Sequence, residues 1–519
     1  MAATLALGAC DDISKRPVGT IGHVKGFAGI VAADEPRAAQ IGRDVLSAGG
    51  SAADAATAMY FTMAVTYPSA ASLGGGGSCI VHDSGKKKTE VLEFPAIAST
   101  VAGPAPTGVP ANPRGFFALH AKYGRLRYEG LLAEPERQAR GGTTVSRALA
   151  ADLARAVAVL GRDPGARGIF LRPDGSVLRE GDTMVQPELA SVIANLRRNT
   201  GDFYVGNGAR DLVRATKAAG GTLNLDDLRD FRPTWRDTVT LKLGDDTAHF
   251  APPPSVGSTV TGELIGALAE RWEQTPDAEQ PHLLAEASAR VYADRARWMQ
   301  ANGWTTQSAA GLLDPGRLRG LLADYNPGRR IAVSGVGAPP TDSPAGASLI
   351  ALDGEGQAVA CNVSAYGLFG SLGRVAPGTG IILAGVPGPN GPPPLTTMMV
   401  VNEKVNEIRF AAAAAGGATA PVALAATYLN TTISHQSLDD SLARPRVVHP
   451  AAPDAAFVET GAYVLDPASL QSRGHQVTSV AMPSRIQALV CRSGQPTQET
   501  CAVATDPRGF GMAVMVGTP

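Results

Sequence analysis

Apolar and polar positions change rhythm along this chain. Near the start they follow a helical period. Pro36–Ala48 carries apolar residues at helical spacing and runs into Gly49-Gly50, a natural helix stop. Ser51 then caps a second helix, with Asp54 three residues on in the manner of a capping box. That helix, Ala52–Val65, is apolar on nearly every face, which predicts full burial. Residues 115–235 read as a series of helices, and Thr238–His249 as one strand. "APPPSVGST" reads as a rigid loop into a helix over Val260–Trp272, and "EQPHLLAEASARVYADRARWM" as a further amphipathic helix. Residues 304–345, rich in Gly, Pro and Arg, read as a connector. From 346 onward the runs are short. Ser348–Leu352 and Gln357–Val363 flank Asp353-Gly354-Glu355-Gly356, which predicts a β-hairpin. Helices first and strands later predict a layered α/β protein rather than an alternating βαβ array.

Bulk properties narrow the class. A net charge of −1, with 5% aromatic residues and no basic stripe, gives no footing for nucleic acid as a partner. The most membrane-like stretch, Ala411–Leu429, is mostly Ala and is broken by Gly416-Gly417 and Pro421. A spanning helix needs about 20 strongly apolar residues, so this stretch reads as a buried loop followed by a helix. Gly74–Gly77 allows close backbone approach. It is not a phosphate loop, because no Gly-Lys-Ser/Thr follows. The eight His are scattered and no Cys/His spacing fits zinc, so neither metal nor cofactor is expected.

The cysteines divide by position. Leu7-Gly8-Ala9 before Cys10 resembles the cleavage box of bacterial lipoproteins, which implies lipidation of Cys10, a leader over 1–25, and a place on the periplasmic side of a bacterial envelope. Membrane contact is then expected only through that lipid anchor. Cys491 and Cys501 flank the polar turn "RSGQPTQET". In an oxidising compartment they make a disulfide; otherwise they are two thiols on neighbouring strands. Cys79 and Cys361 lie inside strand-like runs and read as small buried hydrophobes.

The order of several segments carries a resemblance. "AADEPRAAQIGRDVLSAGGSAADAA", "YPSAASLGGGGS", "GDTMVQPELASVI", "DFRPTWRD", "PPPSVGS", "HLLAEASARVYADRA", "PPPLTTMMV" and "AAGGATA" follow one another from about 32 to 420. In these segments the chain resembles the γ-glutamyltransferase (glutathione hydrolase) family of N-terminal-nucleophile hydrolases. The resemblance implies a four-layer αββα sandwich, with 26–340 like the family's large subunit and 341–519 like its small one. It also implies a proenzyme that cuts itself to free a Thr, whose hydroxyl attacks a γ-glutamyl amide with its own α-amine as base.

The family's site carries over unevenly. Counting back from Asp353, the two Thr positions hold Gly346 and Ala347, and Ser348 takes the place of a His. The Arg that clamps the substrate carboxylate is replaced by Pro95 in "EFPAIAS". "GTGIILAGVPGPNG" offers no carboxylate for the substrate amine, and Tyr366 stands where an Asn is expected. Ser364 falls where the family has an assisting Thr. Thr396-Thr397 replace a Ser-Ser pair that contacts substrate, and Gly416-Gly417 match the oxyanion pair. Both Gly-Gly and Thr-Thr also read as purely structural features. A glutamyl zwitterion needs paired charges when buried, and both partners are missing together with the nucleophile. The resulting expectation is a non-catalytic, uncut member that retains the old cleft for a small molecule or peptide. One alternative is a hydrolase of changed specificity using Ser343 or Ser348, with Thr341 a weaker candidate. Another is ordinary glutathione hydrolysis or γ-glutamyl transfer.

Overall fold

The computed structural model of the protein describes residues 26–300, 304–305, 307–333, 346–386, 395–492 and 494–517. Cys10, Thr341 and Ser343 lie outside the described residues, as does the 340/341 boundary between the two subunit-like regions.

Two antiparallel sheets form the centre. One has seven strands in the order Met512–Gly517, Phe27–Ala33, Gly346–Asp353, Ala358–Ser364, Gly76–Asp83, Lys88–Phe94 and Thr234–Asp237. The other has six, in the order Cys501–Thr505, Arg485–Cys491, Glu407–Ala415, Thr396–Asn402, Asp246–Phe250 and Val239–Leu243. Ile30, Ile80, Ile350, Leu352, Met399 and Leu489 meet between them. The outer face of the first sheet is covered by the helices Pro36–Ser47 and Ala52–Thr66. The outer face of the second is covered by Val256–Trp272, Gln280–Trp298 and Ala420–Tyr428. The layers therefore run α, β, β, α. Strands from both halves of the chain alternate in one sheet: Phe27–Ala33 lies between Gly346–Asp353 and Met512–Gly517.

Local chemistry explains the elements. Ser51 Oγ accepts from the Asp54 amide and the Asp54 carboxylate accepts from the Ser51 amide, closing the capping box. Every residue of the Ala52–Thr66 helix is buried, as its apolar faces require. The hairpin at 346–364 forms with Ser348 opposite Asn362. The Gly74–Gly77 run is demanded by close approach. A Cβ on Gly74 would sit 2.3 Å from Ile382 O, and one on Gly76 would sit 2.2 Å from Ala96 N.

The structure differs from expectation in four places. Residues 304–345, read as a connector, carry the short helices Ala309–Leu312 and Pro315–Leu321, because Leu312 and Leu318 pack into the core. Thr238–His249 is a hairpin rather than one strand, because Gly244, at φ 64°, turns the chain. Ala411–Ala415 is not loop but the end of a central strand. Its alanines alternate between the inter-sheet layer and the helix-facing layer, so packing on both faces overrides their weak β propensity. Cys79 and Cys361 are buried but are not free thiols. Their strands pair them directly, with Cα atoms 4.1 Å apart, and they form a disulfide. Cys491 and Cys501 also face each other across adjacent strands and are bonded. Among the described residues no helix is long and apolar enough to cross a membrane.

Candidate functional site

Several strands end in line at one edge of the double sheet. Gly346 is opposite Ser364, and Ser364 is opposite Gly76. One strand further, Phe94 faces Gly77, so Pro95 follows at the same edge. In the facing sheet, Thr396 lies opposite Ala414, and the strand continues through Ala415 into Gly416-Gly417. A Cβ on Gly346 would lie 3.3 Å from Ala415 Cβ and 3.3 Å from Val363 O. The fold thus gathers Gly346, Ser364, Thr396 and Gly416-Gly417 around one mouth.

Each residue there has a structural tie. Gly416 has φ 128°, and a Cβ on it would fall 2.3 Å from Ser484 Cα. Gly417, at φ 63°, completes the turn into the next helix. Thr397 is buried and its amide donates to Ser258 Oγ at 2.9 Å, fixing the strand to the helix Val256–Trp272. Ser364 Oγ accepts from the Tyr366 amide at 3.0 Å, and Tyr366 holds a left-handed φ of 62°. Ser348 is fully buried within its strand. Its amide donates to Asp34 Oδ2 at 2.8 Å and its hydroxyl accepts from Asn362 Nδ2 at 3.0 Å.

A charged cluster that sequence reading missed holds the first strand residue. Arg485 Nη2 donates to the Gly346 carbonyl at 3.1 Å and lies 3.4 Å from the Tyr67 hydroxyl. Its Nε faces Asp34 Oδ1 at 3.3 Å, and Gln487 Nε2 donates to the same oxygen at 2.9 Å. Burial pushes the Asp34 carboxyl above its usual range, against the pull of Arg485. The cluster opens on a cleft of about 440 Å³ whose walls include Tyr67, Asp152, Arg155, Pro483 and Phe510. No local motif marks Arg485, Asp34 and Asn362 as partners; only the sheet register brings them together.

At the other end of the mouth, Pro95, Ile97, Phe231, Pro254 and Trp304 border a second cleft of about 490 Å³. The Arg236 guanidinium in it is held by Glu93 at 2.7 Å, and Ser255 Oγ donates to the same carboxylate at 3.1 Å. Chemically, the mouth offers backbone groups, buried hydroxyls and committed ion pairs. Neither Gly346 nor Ala347 carries a side-chain nucleophile.

Known proteins share this architecture and sequence. The cephalosporin acylase of Bacillus halodurans superposes with a TM-score of 0.80 at 22% identity, covering 98% of this chain and 100% of that one. The gamma-glutamyltranspeptidase of Pseudomonas nitroreducens gives 0.52 at 29% identity, over 57% of this chain and 93% of that one. Glutathione hydrolase 3 of Arabidopsis thaliana is 31% identical over 310 residues, which are 56% of this chain and 48% of the plant protein. The chain spans about half the length of that relative. The glutathione hydrolase proenzyme of Pseudomonas sp. strain A14 is 25% identical over 514 residues, 89% of this chain and 88% of the relative. The sequence model described as Gamma-glutamyltranspeptidase matches residues 38–385 and 393–516. With nearly the whole folded body matched in order, this chain belongs to the gamma-glutamyltranspeptidase family.

Proposed function

We propose that this chain is a non-catalytic member of its family, kept as one uncut polypeptide, whose mouth binds a small molecule or peptide without cleaving it. The observation that carries this reading is Gly346. It occupies the first strand position beside Ala415 and Gly416, where the family's chemistry calls for a hydroxyl, and Ala347 follows it. Ser348 gives little scope for rescue, since its amide and hydroxyl are both engaged inside the sheet. Pro95 supports the same reading, because it carries no charge and the Arg236 guanidinium in the adjoining cleft is already paired with Glu93.

Two disulfides between sheet strands support folding in an oxidising compartment. That agrees with a chain exported to a bacterial envelope and tethered through Cys10 on the periplasmic side. The test is the intact mass of the purified protein after denaturation and reduction. The expected result is one species, the full 53.2 kDa chain less any leader. Two fragments would overturn the proposal. A smaller fragment beginning at Ser343 or Ser348 would instead identify an amidohydrolase of altered specificity.

A further inference from the structure

Apart from the residues of the strand mouth, the fold assembles a group that no sequence spacing announces. His282 and Glu286 lie four residues apart on the helix Gln280–Trp298, and His475 comes from the turn before the strand Val477–Val480. All three are buried. One ligand atom from each lies within 4.8 Å of the others. His282 Nδ1 is 2.8 Å from His475 Nε2, and His475 Nε2 is 3.8 Å from Glu286 Oε1.

The surroundings orient these atoms. His282 Nε2 lies 2.9 Å from the Asn326 carbonyl, which can only accept, so Nε2 carries the proton and Nδ1 presents a lone pair to the group. Glu286 Oε2 accepts from Arg290 at 2.9 Å and from the Ile331 amide at 3.1 Å. Its other oxygen, Oε1, is thereby turned toward His475. His475 Nδ1 is buried without a hydrogen-bond partner. His449 packs beside His475, with ring centroids 6.2 Å apart. Both of its nitrogens are occupied, Nδ1 by the Ala451 amide and Nε2 by Asp454. It is a neighbour of the group rather than a member.

We propose that His282 Nδ1, His475 Nε2 and Glu286 Oε1 bind one divalent ion of the zinc class, with water as the fourth ligand. Two imidazoles and a carboxylate form a borderline ligand set that suits zinc. Bond lengths of about 2.0–2.2 Å place ligand atoms about 3.4 Å apart in a tetrahedral site, and the observed 2.8 and 3.8 Å bracket that spacing. Binding needs one tautomer change. The proton that His475 Nε2 now shares with His282 moves to the unpartnered Nδ1, freeing Nε2 for the metal with no net proton release. The ion would fasten the helix Gln280–Trp298 to the small sheet of Val447–Val448, Ala456–Glu459 and Val477–Val480.

The test uses untagged full-length protein, stripped with a chelator and dialysed. Zinc is added under calorimetry, and cobalt(II) is followed by visible absorption. Uptake of one equivalent of zinc, tetrahedral cobalt bands and a raised melting temperature are expected. Glu286→Gln is expected to weaken zinc affinity by more than about 100-fold, since losing even a residue that only orients a metal ligand costs about 10–100-fold. His475→Gln, expected to do the same, serves as the second variant. Absence of uptake by the unmodified chain would leave only an imidazole–imidazole hydrogen bond and would overturn the proposal. Uptake at equal affinity in both variants would put the ion elsewhere and would also overturn it.

Discussion

At the scale of single residues, the two ends of the mouth respond differently to substitution. Gly416→Ala puts a methyl 2.3 Å from Ser484 Cα at a φ of 128°, with no flexible neighbour to yield. Strain and overpacking together cost about 2–5 kcal/mol, so a large drop in melting temperature is expected. The Cβ added by Gly346→Thr meets Ala415 Cβ and Val363 O at 3.3 Å, which a shift of a few tenths of an ångström relieves, and Asn362 Oδ1 at an ordinary 3.7 Å. It is expected to fold at a cost of about 1–2 kcal/mol. It is also expected to leave a γ-glutamyl anilide intact, because Pro95 supplies no cation. Release of the chromophore by this variant would show that the mouth lacks only a hydroxyl. Gly346 could be read from the chain because the hairpin turn at Asp353 fixes the count of positions, and Pro95 because "EFPAIAS" resembles a family segment. Arg485 could not, since its partners Asp34, Tyr67 and Gly346 are brought to it only by tertiary pairing.

At the scale of elements, ties between layers carry much of the order. Asn362 Nδ2 donates to Ser348 Oγ and to Ala414 O, each at 3.0 Å, and so joins the two sheets. Arg485 joins them again at the mouth. Arg485→Met leaves Asp34 buried with only the Gln487 amide and the Ser348 N–H. Removing one partner of a buried pair costs about 3–5 kcal/mol, which urea unfolding would measure. The helix Pro36–Ser47 is legible from its helical spacing and the Gly49-Gly50 stop, and Ala52–Thr66 from its capping box and the long apolar run behind it. The Ala411–Ala415 strand is not, because five alanines carry no period. Their fit between two crowded layers depends on residues hundreds of positions away.

At the scale of the whole molecule, acid sensitivity has a defined origin. Burial holds His475 down to about 3 and His449 to about 4, and lowers His282 as well, from an ordinary value of 6.5. Glu286, Asp454, Arg290, Arg330 and Arg473 face this group. In chelator, both folded and unfolded forms are neutral here above pH 6.5. Below it the unfolded chain binds protons that the folded chain refuses. Stability therefore falls as pH drops from about 6.5 toward 4, by up to about 1.4 kcal/mol per pH unit for each such His. A pH series of melting temperatures should show that slope, and His475→Gln should lessen it by the share of one His, since His449, His282 and the buried His82 and His249 keep theirs. The layered class could be read from the order of helices and strands. The gathering of scattered His could not, for it needs the final packing of helix against sheet.

The Cys79–Cys361 bond bears on how any processing of this chain would look. One sulfur lies before the stretch from 340 to 348 and the other after it. A nick in that stretch would add a water molecule and leave the two pieces covalently linked. On a non-reducing gel, cut and uncut protein would migrate together, and neither piece could dissociate or exchange with another copy. The oxidised molecule is thus closed into one covalent object, whatever happens to the backbone between its halves.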